Sequence, residues 1–188
     1  MQAQLRQHIE KIVPLSDEEF AFVLGHFSRR SYKKEAYMVS REEPVRYNFF
    51  VLSGLMKLVY HDRNAKEHIV SFAMEDWWET DFGAWYTRSP ASFSLQCLED
   101  TEVYCLSLEN HHALCAGLPR MEHFFFEKAA LGHIASQQRI LSFLMSGAEE
   151  RYEQLLKRQP RLLQRVPKRL LAAYLGVSRE TLSRLGRG

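Results

Sequence analysis

The spacing of hydrophobic positions changes along this chain, and each spacing predicts a different kind of element. Near the N-terminus, Ser16 and the acidic residues 17–19 precede an apolar run, which is typical of the start of a short helix. Residues 33–108 instead hold short runs rich in Val, Phe, Tyr and Leu, which turn residues separate, at 49–52, 55–60 and 68–72. Strands at this spacing predict a small antiparallel β-sandwich or barrel.

Five aromatic side chains lie near one another in this strand-rich region. They are Phe72, Trp77, Trp78, Phe82 and Trp85. Because aromatic side chains bury large apolar surfaces, we expect them to fill the interior of the sandwich.

A helical spacing follows over residues 118–145, a stretch with a single Gly and, after Pro119 at its start, no further Pro. Positions that repeat every seven residues form one stripe: Phe124, Leu131, Gln138 and Met145, with Glu127, Ile134 and Leu141 interleaved. Such a stripe either packs on its own domain or forms a dimer seam, in which a polar Gln138 would help to fix the register. We place a domain boundary at the break Ser146-Gly147, after which a helix over residues 148–158 ends before Pro160.

The C-terminal segment, residues 167–185, has the signals of two helices joined by a tight turn. Pro167 suits the first turn of a helix, Gly176 suits the left-handed residue that ends it, and Ser178 suits the cap of a second helix. The apolar positions Leu171, Leu175, Val177, Leu182 and Leu185 are expected to be buried, beside a small Ala172. The outward positions are then Arg179, Glu180, Ser183 and Arg184. Arginine pairs with guanine and glutamate accepts from the cytosine amino group, so this set suits base edges in a major groove.

Composition places the chain among globular proteins, because 46% of its 188 residues are hydrophobic and 26% are charged. Charge is unevenly distributed: residues 151–188 carry ten Lys/Arg and two Glu, a net charge of +8, and the remainder carries −6. A basic end on an acidic body is typical of a module that binds a polyanion such as DNA. A solvated basic helix surface remains the alternative on charge alone.

Several classes of protein are disfavoured. No window of eighteen apolar residues exists and the N-terminus lacks the apolar core of a signal peptide, so we expect a cytoplasmic protein without membrane contact. The odd number and the wide spacing of Cys97, Cys105 and Cys115 argue against disulfides, a zinc clip or an iron–sulfur cluster, and predict reduced, buried thiols.

Two other functions stay open as alternatives. A cupin-type metal enzyme would need several His and a carboxylate on one face, but His111 and His112, interpreted as strand neighbours, would point to opposite faces. His61 and His68 flank a predicted hairpin loop, and His133, a conceivable haem ligand, is expected to be a packed or partly exposed side chain. We therefore expect no metal, no cofactor and no enzyme activity. The second alternative is a ligand-sensing module that acts through a protein partner.

The order of these parts resembles the CRP/FNR superfamily, the cyclic-AMP receptor protein and its relatives, over nearly the whole chain. The run Ser178-Arg179-Glu180-Thr181 followed by Arg184 is similar to the recognition helix of that family. Residues 148–152 and 164–167 also resemble the shorter, Bacteroidetes-type members. The resemblance implies an α+β fold with three parts: an antiparallel, jelly-roll β-roll sensor (1–117), a long dimerisation helix (118–147) and a winged helix-turn-helix (148–188).

The resemblance also implies partners and contacts. The expected protein is a homodimer through residues 121–145 that reads a palindromic site on double-stranded DNA, with RNA polymerase as a further partner. The expected base-reading residues are Arg179, Glu180, Ser183 and Arg184. The expected phosphate contacts are Arg165, Lys168, Arg169, Ser178 and Arg187.

The sequence departs from the family in its cyclic-nucleotide pocket. The family uses a Gly-Glu pair and, some ten residues on, an Arg before Ser/Thr-Ala that holds the cyclic phosphate. Here the two stretches are Thr80-Asp81-Phe82-Gly83 and Ala91-Ser92-Phe93, and the nearby Arg88 is expected on the surface. Cyclic AMP is therefore disfavoured and the effector is left unidentified. The candidate effector pocket comprises Trp77, Trp78, Asp81, Phe82, Gly83, Trp85, Ala91 and Ser92. The sequence also ends three residues after Leu185, earlier than we expect for the family.

Overall fold

The computed structural model describes residues 2–64 and 66–186. Its internal contacts divide the chain into two compact units, Met1–Lys128 and Ala129–Gly188. The three-part division expected from the sequence, at residues 117 and 147, stays a prediction.

Two antiparallel sheets of four strands form the centre of the first unit. The strands are β1 (Ser28–Tyr32), β2 (Tyr37–Val39), β3 (Tyr47–Ser53), β4 (Leu55–His61), β5 (Glu67–Met74), β6 (Trp78–Glu79), β7 (Ser94–Cys97) and β8 (Thr101–Ser107). Their order is β1-β8-β3-β6 in one sheet and β2-β7-β4-β5 in the other. All pairings are antiparallel, which confirms the predicted β-roll.

The tight connection between β3 and β4 depends on Gly54, whose φ is +109°. A Cβ at this position would lie 2.8 Å from the carbonyl oxygen of Asp100. The position therefore needs glycine both for its backbone conformation and for its space.

Strand β3 separates two cores, because successive side chains of a strand point to opposite faces. Phe49 and Val51 pack between the two sheets, against residues such as Met56 and Val103. Phe50, on the other face, packs against the helices. This second core comprises Leu5, Ile9, Val23, Leu114, Met121 and Phe124 among others.

The helices of the first unit are α1 (Gln2–Glu10), α2 (Asp17–Gly25), α3 (Phe82–Thr87) and α4 (Leu108–Gly117), together with the start of α5 (Arg120–Met145). Helix α2 begins at Ser16 as predicted: the Ser16 hydroxyl accepts from the Glu19 amide, and the Glu19 carboxylate accepts from the Ser16 amide. The interpretation of His111 and His112 as strand neighbours was wrong, since both lie in α4. The strand β8 ends at Ser107, which caps that helix.

The predicted aromatic interior is confirmed only in part. Phe72 and Trp85 are buried, and Trp77 and Trp78 are half-buried. Phe82 is 53% exposed and stacks on Tyr86 at the surface, so its placement in the interior was wrong.

The second unit continues from α5 into short helices. They are α6 (Ala148–Arg158), α7 (Pro160–Arg165), α8 (Lys168–Leu175) and α9 (Arg179–Leu185). Gly176 ends α8 with a φ of +67°, and the Ser178 hydroxyl caps α9 by accepting from the Thr181 amide at 3.1 Å, as predicted. Residues 129–186 contain no strand, so the wing that the resemblance implied is not present in this part of the chain.

Candidate nucleic-acid interface and ligand pocket

Helix α9 presents charged side chains on one side and an anchor on the other. Arg179, Glu180 and Arg184 are exposed and Ser183 is half-buried. Leu182 is buried, which fixes the rotation of the helix about its axis. The sequence therefore predicted the outward set, with Ser183 less accessible than expected.

The apolar positions behind this helix differ in burial. Leu171, Leu175 and the small Ala172 are buried as predicted. Val177 and Leu185, which were also expected inside, are only half-buried.

The predicted phosphate contacts fall into three groups. Lys168 and Arg169 are exposed in the first turn of α8, where they can meet a backbone phosphate. Arg165 is half-buried at the end of α7, and the exposed Ser178 already uses its hydroxyl as the cap of α9. Arg187 lies outside the described residues.

Two arginines that sequence reasoning missed hold the C-terminal end of α8. Arg151 donates from Nε to the Leu175 carbonyl at 3.0 Å, and Arg139 donates from Nη2 to the Tyr174 carbonyl at 3.1 Å. The Arg139 guanidinium also lies 3.7 Å from the centre of the Tyr174 ring, and its burial lowers its pKa. Cations at a helix C-terminus compensate its free carbonyls and its dipole. Because the donors lie 24 and 35 residues before their acceptors, no local sequence signal marks them.

Helix α5 carries an exposed apolar stripe in the second unit. Leu131, Ile134, Leu141 and Met145 are between 48% and 78% exposed. Gln138, on the same stripe, accepts a hydrogen bond from Arg158 at 2.7 Å. Phe124, which we expected to continue the stripe, is instead fully buried in the core of the first unit.

Asp81 is the centre of the region where the family holds a cyclic phosphate. Its carboxylate is buried and accepts three backbone N–H groups, from Ala84 at 3.1 Å, Ser92 at 2.7 Å and Phe93 at 3.0 Å. Amides that converge in this way form an anion-binding site. In this protein the Asp81 carboxylate occupies that anion-binding site. Arg88, the nearby arginine in the sequence, forms an ion pair with Glu109 at 2.9 Å.

The eight residues of the predicted effector pocket do not form one site. Ser92 and Gly83 lie beside the Asp81 carboxylate, and Ala91 precedes Ser92 in the chain. The Trp78 indole donates to Nε2 of His8 at 3.3 Å, next to the helices, while Trp77 packs against the core between the sheets. Phe82 is at the surface, and Trp85 borders a separate cavity.

Buried ionisable groups of the first unit are distributed over several places. Glu79 accepts from the Ser71 hydroxyl, and burial raises its pKa to about 7. The three cysteines are free and buried, as predicted, and burial raises the pKa of Cys105 and Cys115 to about 11. Such thiols are poor nucleophiles.

The histidines do not converge. His68 pairs with Asp62 at 2.9 Å, while His111 packs edge-on against Trp85. His133 is exposed on α5, and His61 is half-buried at the end of β4. Over residues 2–64 and 66–186, no group of three or more His, Cys, Asp or Glu is placed to hold a metal ion.

Comparison with known families identifies the sheet region. The sequence profile described as "Cyclic nucleotide-binding domain" matches residues 29–117. This stretch of the chain is therefore similar to that family. The match covers the eight strands from Arg29 onward and continues through α4, and it ends before α5.

Solved structures with the same fold extend over most of the chain. FixK2 from Bradyrhizobium japonicum superposes with a TM-score of 0.74 at 18% identity, covering 86% of this chain and 83% of that one. The c-di-GMP-responsive global regulator CLP of Xanthomonas campestris gives 0.71 at 16%, covering 92% and 90%. The Thermus thermophilus catabolite activator protein gives 0.60 at 24%, covering 96% and 85%. The chain therefore shares the α+β fold of these three proteins.

No protein with a curated description matches the sequence. Within the described residues, no helix has the length and apolar character that crossing a membrane requires.

Proposed function

We propose that this chain is a cytoplasmic, sequence-specific DNA-binding transcription regulator of the CRP/FNR type, close to its short, Bacteroidetes-type members. One observation carries the proposal: α9 presents Arg179, Glu180 and Arg184 to solvent from a helix anchored by Leu182. The surrounding segment, residues 151–188, has a net charge of +8. A base-reading helix on a basic module is the combination that DNA recognition requires.

In this proposal α8 and α9 are a helix-turn-helix. The first turn of α9 enters the major groove, where the arginines donate to guanine and Glu180 accepts from cytosine. Lys168 and Arg169 contact phosphates and set the position of the helix. Two copies, joined through α5, place two such helices about one DNA turn apart on a palindrome. RNA polymerase is part of the proposal as a partner, without assigned residues.

Single substitutions separate base reading from phosphate binding. Arg179→Ala or Arg184→Ala should weaken binding to the preferred duplex by about 1–3 kcal/mol and relax preference at one base pair per half-site. Lys168→Ala or Arg169→Ala should weaken all duplexes alike and reduce the salt slope by about one unit. Competition binding against selected and random duplexes at several salt concentrations measures both effects. An equal loss on both duplexes for Arg179→Ala would overturn the proposed orientation of α9.

The proposal excludes cyclic nucleotides as effectors. The Asp81 carboxylate accepts hydrogen bonds from the amides of Ser92 and Phe93. A phosphate brought next to this carboxylate would be repelled, because both groups are negatively charged. Cyclic AMP and cyclic GMP should therefore leave DNA affinity unchanged. Calorimetric titration of each nucleotide, followed by DNA binding in its presence, tests this. Saturable binding at millimolar concentration or below, coupled to DNA affinity, would contradict it.

A further inference from the structure

Phe143 lies on the face of α5 opposite the apolar stripe. It follows Ile134 by nine residues in the same helix, which places it about 180° around the helix axis from that stripe residue. Two guanidinium groups lie over its ring: that of Arg139 is 4.9 Å from the ring centre and that of Arg151 is 5.0 Å from it. Helix α5 therefore carries the exposed stripe on one side and a cluster of aromatic and guanidinium groups on the other.

The same two arginines bind the C-terminal end of α8. Arg139 donates to the Tyr174 carbonyl at 3.1 Å, and its guanidinium lies 3.7 Å from the centre of the Tyr174 ring. Arg151 donates to the Leu175 carbonyl at 3.0 Å. A guanidinium can stack on a ring with its face while it donates hydrogen bonds from its edge. The two arginines therefore connect Phe143 on α5 with the last residues of α8.

Phe143 also contacts the turn between α8 and α9. A Cβ at Gly176 would lie 3.0 Å from Cε1 of Phe143, so the edge of the ring lies directly against this glycine. Gly176 has a φ of +67°, and Arg179, the first residue of α9, follows three residues later. The ring thus covers the point at which the chain changes direction between the two helices.

The distance between two α9 helices must match the distance between the two half-sites of a palindrome. One base pair more or less changes that distance by about 3.4 Å and turns one half-site by about 35°. In the proposed dimer the stripe of α5 forms the seam, while the opposite side of α5 contacts α8 and its turn. We propose that Phe143 is a positioning residue that sets the preferred half-site spacing by fixing α8 and α9 against α5. This inference rests on the proposed function, because it requires two copies on one DNA site.

The preference for one spacer length measures this role. The wild-type protein selects its palindrome from a random pool, and duplexes with one central base pair added or removed are compared with that palindrome. The wild type should bind the altered duplexes at least about tenfold more weakly, and Phe143→Ala should reduce this penalty to less than about threefold. Affinity for random DNA and the salt slope should stay unchanged in Phe143→Ala. A variant that is merely destabilised would instead lose affinity for all duplexes alike.

Two further variants on α5 serve as controls. Ile140→Ala removes an exposed apolar side chain that does not belong to the stripe, and it should keep the wild-type penalty. Phe143→Tyr keeps the aromatic ring and should keep the penalty as well. Phe143 is 43% exposed, so its truncation leaves no cavity in a core. Circular dichroism checks folding, and Phe143→Leu, which has an apolar side chain without a ring, replaces Phe143→Ala if that variant is unfolded.

Hydrogen exchange provides a readout without DNA. The Val177 amide donates to the Ala172 carbonyl at 3.0 Å across the turn. This amide should exchange faster in Phe143→Ala than in Ile140→Ala, because the ring no longer covers the turn. Equal exchange in the two variants, or an unchanged spacer preference in Phe143→Ala, would overturn this inference and leave the proposed function intact. A wild type that selects no two-fold site would contradict the proposed dimer on DNA and this inference with it.

Discussion

His8 is a neutral side chain within an aromatic core. Its ring lies 4.8 Å from that of Phe50 and 5.9 Å from that of Phe124, and Nε2 accepts from the Trp78 indole. Nδ1 is buried and has no partner within the described residues. Burial lowers the pKa of His8 to about 4, because a charged imidazolium would lose its hydration there. Protonation would also remove the acceptor that Trp78 uses.

This arrangement makes stability depend on pH. The reference pKa is 6.5 and the folded value is about 4, so the unfolded chain binds more protons between these values. The contribution of His8 is complete above pH 6.5 and is lost as the pH falls towards 4, with a slope of at most about 1.4 kcal/mol per pH unit. His8→Phe should remove this slope. Urea unfolding of both proteins from pH 4 to 7.5 measures it.

The difference between the two proteins isolates His8, since Glu79 acts equally in both. With a folded pKa of about 7, above its reference value of 4.5, Glu79 destabilises the fold as the pH rises between these values. Parallel stability curves for wild type and His8→Phe below pH 6.5 would contradict the assignment.

At the residue level, the outward set of α9 was predictable and the surroundings of Asp81 and Trp85 were not. Arg179, Glu180 and Arg184 follow from a cap and a helical repeat, both local features. The sequence located Asp81 in the phosphate region, but its three amide donors come from residues up to twelve positions away. Trp85 was expected in the interior, but no local sequence feature indicates that its N–H has no acceptor among the described residues.

At the element level, local signals explain which predictions held. The strands β3 to β5 are bounded by Gly54 and a polar loop, and α2, α8 and α9 have cap residues that the sequence shows. Strand β1 reads Ser-Arg-Arg-Ser-Tyr and has no apolar alternation, because its conformation comes from pairing with β8. Helices α1 and α4 were missed since their burial depends on distant partners.

The hydrogen bonds from Arg139 and Arg151 to the C-terminal end of α8 predict how stable this helix is. Arg151→Met keeps an unbranched, flexible side chain but removes the hydrogen bonds to the carbonyls of Leu175 and Ser146, which should destabilise the second unit by about 1–3 kcal/mol. Hydrogen exchange of the backbone amides in residues 166–186 should accelerate accordingly. Lys157→Met removes the same charge from an exposed position on the same helix and serves as the control. Equal exchange rates in the two variants would show that Arg151 does not stabilise α8.

At the scale of the whole molecule, the positively charged residues and the exposed apolar stripe of α5 occupy different segments of the chain. The basic excess lies in residues 151–188, and the exposed apolar stripe of α5 lies just before it in the chain. Under the proposed function, one α9 would offer three base-reading side chains, which is too few for a specific site. A second copy would double these contacts and cover the stripe, so both features favour the same assembly.

The dimer is therefore the last prediction. Ile134 and Ile140 are both exposed on α5, but they lie about 120° apart around the helix, and only Ile134 belongs to the stripe with Leu131 and Leu141. Ile134→Glu buries a charge in the proposed seam and should give a folded monomer with much weaker binding to a palindromic duplex. Ile140→Glu makes the same change outside the stripe and should remain a dimer.

Sedimentation equilibrium at micromolar concentration measures the association of both variants, and circular dichroism checks that each is folded. A monomeric wild type, with and without DNA, would refute the dimer itself. Dissociation by Ile140→Glu but not by Ile134→Glu would instead place the seam on the other face of α5, because the two substitutions differ only in the side of the helix that receives the charge.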